Sequence, residues 1–235
     1  MIPFAIVTVA LAIAATVLWQ RLARMQRETY IRDFKLPPGL FDKLRKLHPT
    51  LTPKECQLVA QGLRQFFLTY LKSGKKYVAM PSQVVDDLWH ELILYTRGYE
   101  SFCRQAFGEF LHHTPAVALA DSQQNNAGLR RCWYYACREE NINPRAPSRL
   151  PLLFALDTKL SIPNGFRYAA DCGTVRRQGA TNDGGAAIYC GTDFASSSFD
   201  GGTDGFGDGG SFDGGDSGSS SDGGGCGGGC GGGGD

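Results

Sequence analysis

The chain has 235 residues, 42% of them hydrophobic, with eight cysteines and a formal net charge of +1. That length allows one ordinary domain with additions. The near-neutral total hides a split. Nine of the 23 acidic residues follow Arg177, where no Lys or Arg occurs, leaving 14 acidic against 24 basic residues before them, a net of +10. No basic run is interleaved with aromatics in a recognisable module, so nucleic acid is not an expected partner. A basic face beside a membrane accounts for the split better.

From Ile2 to Trp19 the sequence IPFAIVTVALAIAATVLW carries no charge. As a helix it spans about 27 Å, close to the roughly 30 Å hydrocarbon core of a bilayer, and Trp19 stands where an interfacial aromatic belongs. A cleaved signal peptide carries its cations before the apolar run. Here Arg21, Arg24, Arg27, Arg32 and Lys35 all follow it. The sequence therefore predicts a transmembrane anchor over 1–20 and a basic juxtamembrane linker over 21–36. By the positive-inside tendency the amino terminus is outside and the rest is cytoplasmic, a single-pass arrangement with residues 2–19 in the membrane.

Residues 37–178 read as a small all-α domain. Leu40, Phe41, Leu44 and Leu47 recur at helical spacing after Pro37-Pro38. In TPKECQLVAQGLRQFFLTYLKSG, Thr52 is an N-cap, Pro53 suits the first helical position and Glu55 completes a capping box. Val59, Leu63, Phe66, Phe67 and Tyr70 mark its buried face, and Gly74 is a natural stop. A third helical region starts at a Ser82 cap and runs through Trp89, Leu92, Thr96, Tyr99, Phe102, Cys103, Ala106 and Phe107, with Gly98 interrupting it. A fourth covers about 126–140, with Leu129, Cys132, Trp133, Ala136 and Cys137 on one face, and a short last helix ends before Pro163-Asn164-Gly165. No stretch of the head alternates at period two for long.

From Gly179 the composition turns to Gly, Ser and Asp. Burying the three Phe of its degenerate repeats (Phe199, Phe206, Phe212) would contribute at most about 9 kcal/mol. Ordering the last thirty-five or so residues would cost on the order of 35–70 kcal/mol. Residues 179–235 are expected to be a disordered tail.

The chemistry concentrates in VDDLWHELILYTRGYESFCRQAFGEFLHHTP, Val85 to Pro115, which holds three of the four histidines. Asp86 and His90 are i and i+4 on a helix and so share a face. If the chain doubles back after Tyr99, His112 and His113 can complete a three- or four-ligand metal site with them. The simpler reading pairs His90 with Asp86 through a hydrogen bond, and acid–base catalysis is a third. HELIL puts Leu94 where the second His of H-E-x-x-H must stand, so that hydrolase motif is absent, as are G-x-G-x-x-G, P-loop and G-x-S-x-G signatures. Cys103 lies about 20 Å along a continuous helix from His90 and is assigned to the core. Cys132 and Cys137 are too far apart on one helix for a disulfide, and a cytoplasmic head keeps its thiols reduced. Cys226 and Cys230 form a weak C-x-x-x-C pair in the tail.

This string, followed by LFALDTKLSIPNGFRYAADC and a Gly-rich, Cys-bearing terminus, resembles the glycine-rich domain-containing (GRDP-like) proteins over roughly Leu36–Cys172. Relatives place a second His two residues after the first, where this chain has Leu92. The resemblance implies a helical, cytoplasmic or membrane-tethered module and supplies no catalytic role. Two functions follow as expectations. One is a non-enzymatic, membrane-anchored interaction module whose acidic tail reaches a protein partner or its own basic head. The other is a metal-binding protein, a hydrolase or sensor, holding a divalent ion such as zinc through Asp86, His90, His112 and His113.

Overall fold

The computed structural model describes residues 2–113, 123–170 and 188–194. The fold is mainly helical. In chain order it runs α1 (Ile2–Asp33), α2 (Leu40–Leu47), α3 (Pro53–Lys72), α4 (Gln83–Ile93), α5 (Thr96–Ala106), α6 (Gln123–Glu139) and α7 (Leu152–Lys159). Two three-residue strands follow, β1 (Arg167–Ala169) and β2 (Ile188–Cys190), then a 3-10 turn over Gly191–Phe194.

Helix α3 is the hub, and the predicted capping box starts it. The Thr52 hydroxyl accepts from the Glu55 amide, and the Glu55 carboxylate accepts from the Thr52 amide at 2.7 Å. Gly74, at φ +73°, stops it. The helix packs against α1, α2, α4, α6 and α7. Gly62 permits that crowding: a β-carbon there would lie 2.4 Å from Leu156 and 3.1 Å from Val85, so α3, α4 and α7 meet over a residue with no side chain. Phe66 and Phe67 from α3 meet Trp89, Phe102 and Phe107, with ring centroids 4.9–6.1 Å apart. Truncating Phe67 to alanine at this junction should lower unfolding free energy by about 3–5 kcal/mol, measurable by urea titration of the full chain in detergent.

Two sequence expectations need correction. Residues 21–36 are not a free linker. Helix α1 continues to Asp33, Ile31 is fully buried, Tyr30 stacks on Phe102 and Phe34 packs against it at a tilt. Arg24 donates to the carbonyl of Lys72 and Arg27 to that of Phe107, both at 2.9 Å. These carbonyls end α3 and α5, where cations complement the helix dipole. Basic spacing that read as solvated charge is thus partly a set of helix caps.

The second correction concerns the head's carboxy-terminal limit, placed at 178; the helical class holds, with one short strand pair added to it. Ile188–Cys190 pairs in parallel with Arg167–Ala169, Tyr168 opposite Tyr189. Phe194 is buried against Trp133, Phe154 and Tyr168. A short island of β-branched and aromatic residues inside Gly-rich surroundings fills a specific hole, which average composition does not register. Residues 195–235, with Cys226 and Cys230, lie outside the described residues.

Cys56, Cys103, Cys132 and Cys137 are buried free thiols, as the core assignment of Cys103 required. Cys190 is disulfide-bonded. Burial pushes the Cys132 and Cys137 thiols up to about 12 and raises those of Cys56 and Cys103. An unfolded chain releases these protons above about pH 9 while the folded one retains them, so stability should fall as pH rises from about 9 toward 12. Native protein should resist alkylation at all four sites at pH 8 and react fully in urea, read by mass spectrometry.

Candidate metal centre

Helix α4 carries the site, and its start is fixed from two sides. The Ser82 hydroxyl accepts from the Val85 amide. The buried Asp157 carboxylate, arriving from α7, accepts from the amides of Gln83 (2.7 Å), Val84 (3.2 Å) and Phe166 (2.9 Å) and from the Ser82 hydroxyl (2.7 Å). The first turn of α4 therefore points its orphan N–H groups at the two oxygens of one side chain.

One turn on, the acidic side chains of α4 meet two segments, α2 with its C-cap and the stretch after α5. Asp87 accepts from Gln83 at 2.9 Å and is 2.7 Å from His48 Nε2. Glu91 pairs with Lys43 at 3.1 Å. Asp86 Oδ1 is 2.8 Å from His113 Nε2, while its Oδ2 is 3.8 Å from His90 Nδ1. The hydrogen bond expected between Asp86 and His90 is thus absent at that length, and His113 takes it. The rings of His90 and His113 lie 4.2 Å apart between centroids.

His113 reaches α4 because the chain breaks earlier than Gly98 suggested. Helix α4 ends at Ile93, and Leu94–Tyr95 turns the chain into α5, whose first turn contains Gly98. After α5, Gly108 at φ +78° reverses direction, and the following segment is fastened from behind. Trp89 Nε1 donates to the Tyr99 hydroxyl at 3.1 Å, and that hydroxyl donates to the Leu111 carbonyl at 2.6 Å. Burial raises the Tyr99 pKa strongly, so it remains a donor. Trp89 also sits edge-on to His113, centroids 4.6 Å apart.

Three of the four sequence-predicted ligands converge. One ligand atom from each of Asp86, His90 and His113 lies within 4.8 Å of the others. His112 does not join: it is exposed and packs against the Phe110 ring, centroids 4.8 Å apart. Metal–ligand bonds of about 2.0–2.2 Å put the ligand atoms of a tetrahedral site about 3.3–3.6 Å apart, so small side-chain rotations close the set. Two imidazoles and one carboxylate, with a coordination position open toward solvent at the half-exposed His90, suit zinc or another late first-row divalent ion better than calcium or magnesium. Sequence reasoning missed His48. Its bond to Asp87 depends on α2 crossing α4, which no local spacing announces.

The UCP032817-like family model matches residues 26–194, most of the chain. The chain belongs to that family. The match begins inside α1, beyond the apolar stretch, and ends at Phe194, so it takes in every residue of the centre and the strand pair. The family's description names no activity. Neither the curated proteins nor the solved structures show a match to the chain.

Tyr99→Phe tests the support behind His113. It removes both buried hydrogen bonds while keeping the ring, and should weaken zinc binding about tenfold, as loss of an outer-shell partner does, in a calorimetric titration.

Proposed function

We propose that this protein is a membrane-tethered helical module that holds one divalent metal ion, with zinc the best fit, through Asp86, His90 and His113. The convergence of those three ligand atoms within 4.8 Å carries the reading. The Trp89–Tyr99–Leu111 bonds support it, because they position an imidazole on a segment with no regular secondary structure of its own. An open fourth position is the arrangement of catalytic and sensing zinc sites, whereas closed sites are structural. Metal analysis of the full chain purified without chelator should return close to one zinc per chain. A content near zero, with no heat on zinc titration, rejects the proposal.

Helix α1 is long and apolar enough to cross a membrane, and Val7, Leu11, Leu18 and Trp19 are exposed along it. We read it as a single-pass anchor. The five cations after Trp19 argue for a cytoplasmic head. The Cys190 disulfide is the feature that favours an oxidising side, since such bonds are rare in the cytosol. Protease protection of the head in sealed right-side-out against inverted membrane vesicles decides between them. A protein partner reached through the acidic residues after Phe194 is the companion proposal, supported by the charge split. Identical partners in pull-downs with and without residues 195–235 would remove it. The motif resemblance to glycine-rich domain-containing proteins belongs to the same reading and assigns no reaction.

A further inference from the structure

Helix α1 runs without a break from its apolar stretch into the head: Trp19 is 71% exposed and Ile31 fully buried on the same helix. Trp19 and Arg24 are separated by about 7.5 Å of rise. With α1 in a bilayer, the head surface around its point of entry lies at headgroup depth. A cavity of about 290 Å³ opens there between α1 and the end of α3. Trp19 and Leu71 give it an apolar wall, and Arg24, Arg27 and Lys75 supply cations.

The charges in this cavity do not cancel. Glu28 lies 3.5 Å from Arg24, and Glu109 lies 3.3 Å from Lys75. Arg27 spends one N–H on the Phe107 carbonyl, and a carboxylate partner for it is absent among the described residues. A guanidinium has five N–H donors, so Arg24 and Arg27 retain several for a ligand. Lys75 has φ +63°, the left-handed region where Asn or Gly is more comfortable. Its side chain lines the cavity's edge, where its ammonium meets Glu109.

We propose that this cavity binds the headgroup phosphate of an anionic phospholipid, with the acyl chains lying along the exposed apolar face of α1. One surplus charge beside an apolar wall at headgroup depth matches a phosphodiester attached to a hydrocarbon tail. The proposal rests on α1 crossing the membrane and is independent of the metal reading. Resistance of the chain to carbonate extraction from membranes checks the anchor separately.

The test uses the full chain in detergent micelles, titrated with phosphatidylglycerol or phosphatidylcholine, bound lipid being read by native mass spectrometry. Phosphatidylglycerol should bind about tenfold more tightly than phosphatidylcholine. Lys75→Asn suits the left-handed backbone, and Arg27→Gln keeps an amide donor for the Phe107 carbonyl. Each should lower phosphatidylglycerol affinity about threefold to tenfold, and the pair together should abolish the preference. Equal binding of both lipids to the wild type overturns the proposal. So does a double variant that keeps the preference, or competition by soluble glycerol phosphate as effective as that of the lipid. If thermal melting shows Arg27→Gln to be unfolded, Lys75→Asn alone decides.

Discussion

Replacing His113 with alanine is expected to cut zinc affinity by at least about a hundredfold, while His112→Ala changes it less than about twofold. Outer-shell partners of a metal ligand are worth about 10–100-fold, and losing one of three direct ligands exceeds that range. His113 is the most buried member of the set: its side chain is 10% exposed, against 48% for His90, and Asp86 and Trp89 contact its ring. The adjacent His112, of identical chemistry, is the internal control, because a nonspecific surface effect would treat the pair alike. Asp86→Asn keeps an oxygen for His113 but removes the negative charge, and should also release the metal. His48→Ala leaves the ligand set intact and should only weaken the contact between α2 and α4. Calorimetric zinc titrations of the four variants, beside far-ultraviolet circular dichroism showing unchanged helicity, give the pattern. Equal losses at His112 and His113 would count against the centre.

The parts of this architecture that rest on local rules were legible in the sequence. Thr52, Pro53 and Glu55 announce the start of α3, Ser82 that of α4, and Gly74 an end, because caps are solved within four or five residues. Of the face predicted from periodicity, Cys132, Trp133, Ala136 and Cys137 are fully buried and Leu129 partly so. What was not legible depends on partners far along the chain. Asp86 and His90 could be paired by arithmetic on one helix. That His113 and not His112 closes the set depends on the Leu94–Tyr95 break and on Tyr99 gripping Leu111. The His48–Asp87 pair spans 39 residues and the Asp157 cap of α4 spans 74, distances at which spacing carries no signal. Ile188–Phe194 was absorbed into the Gly-rich tail because one folded island is outvoted by its neighbours.

That Asp157 cap leads to the other large effect: Asp157→Ala should destabilise the head by about 3–5 kcal/mol, among the most damaging single changes available. Asp157 is 3% exposed and is the acceptor for the amides of Gln83, Val84 and Phe166 and for the Ser82 hydroxyl. Alanine leaves these donors without their partner, each at about 1–3 kcal/mol, offset in part by no longer burying a carboxylate. Asp157→Asn should cost less, about 2–3 kcal/mol, since one oxygen remains while the amide NH₂ faces N–H groups it cannot accept from. Ser82→Ala, losing one hydroxyl, should cost about 1 kcal/mol. Because Asp86 stands in the first turn of α4, fraying there moves a ligand, and zinc affinity should fall along with stability. The two effects separate by mass action. Zinc at about a hundred times its dissociation constant adds about 2.7 kcal/mol to any chain that binds it only when folded. Urea titrations with and without zinc should therefore show that increment for the wild type, a smaller one for Asp157→Ala, and none for His113→Ala.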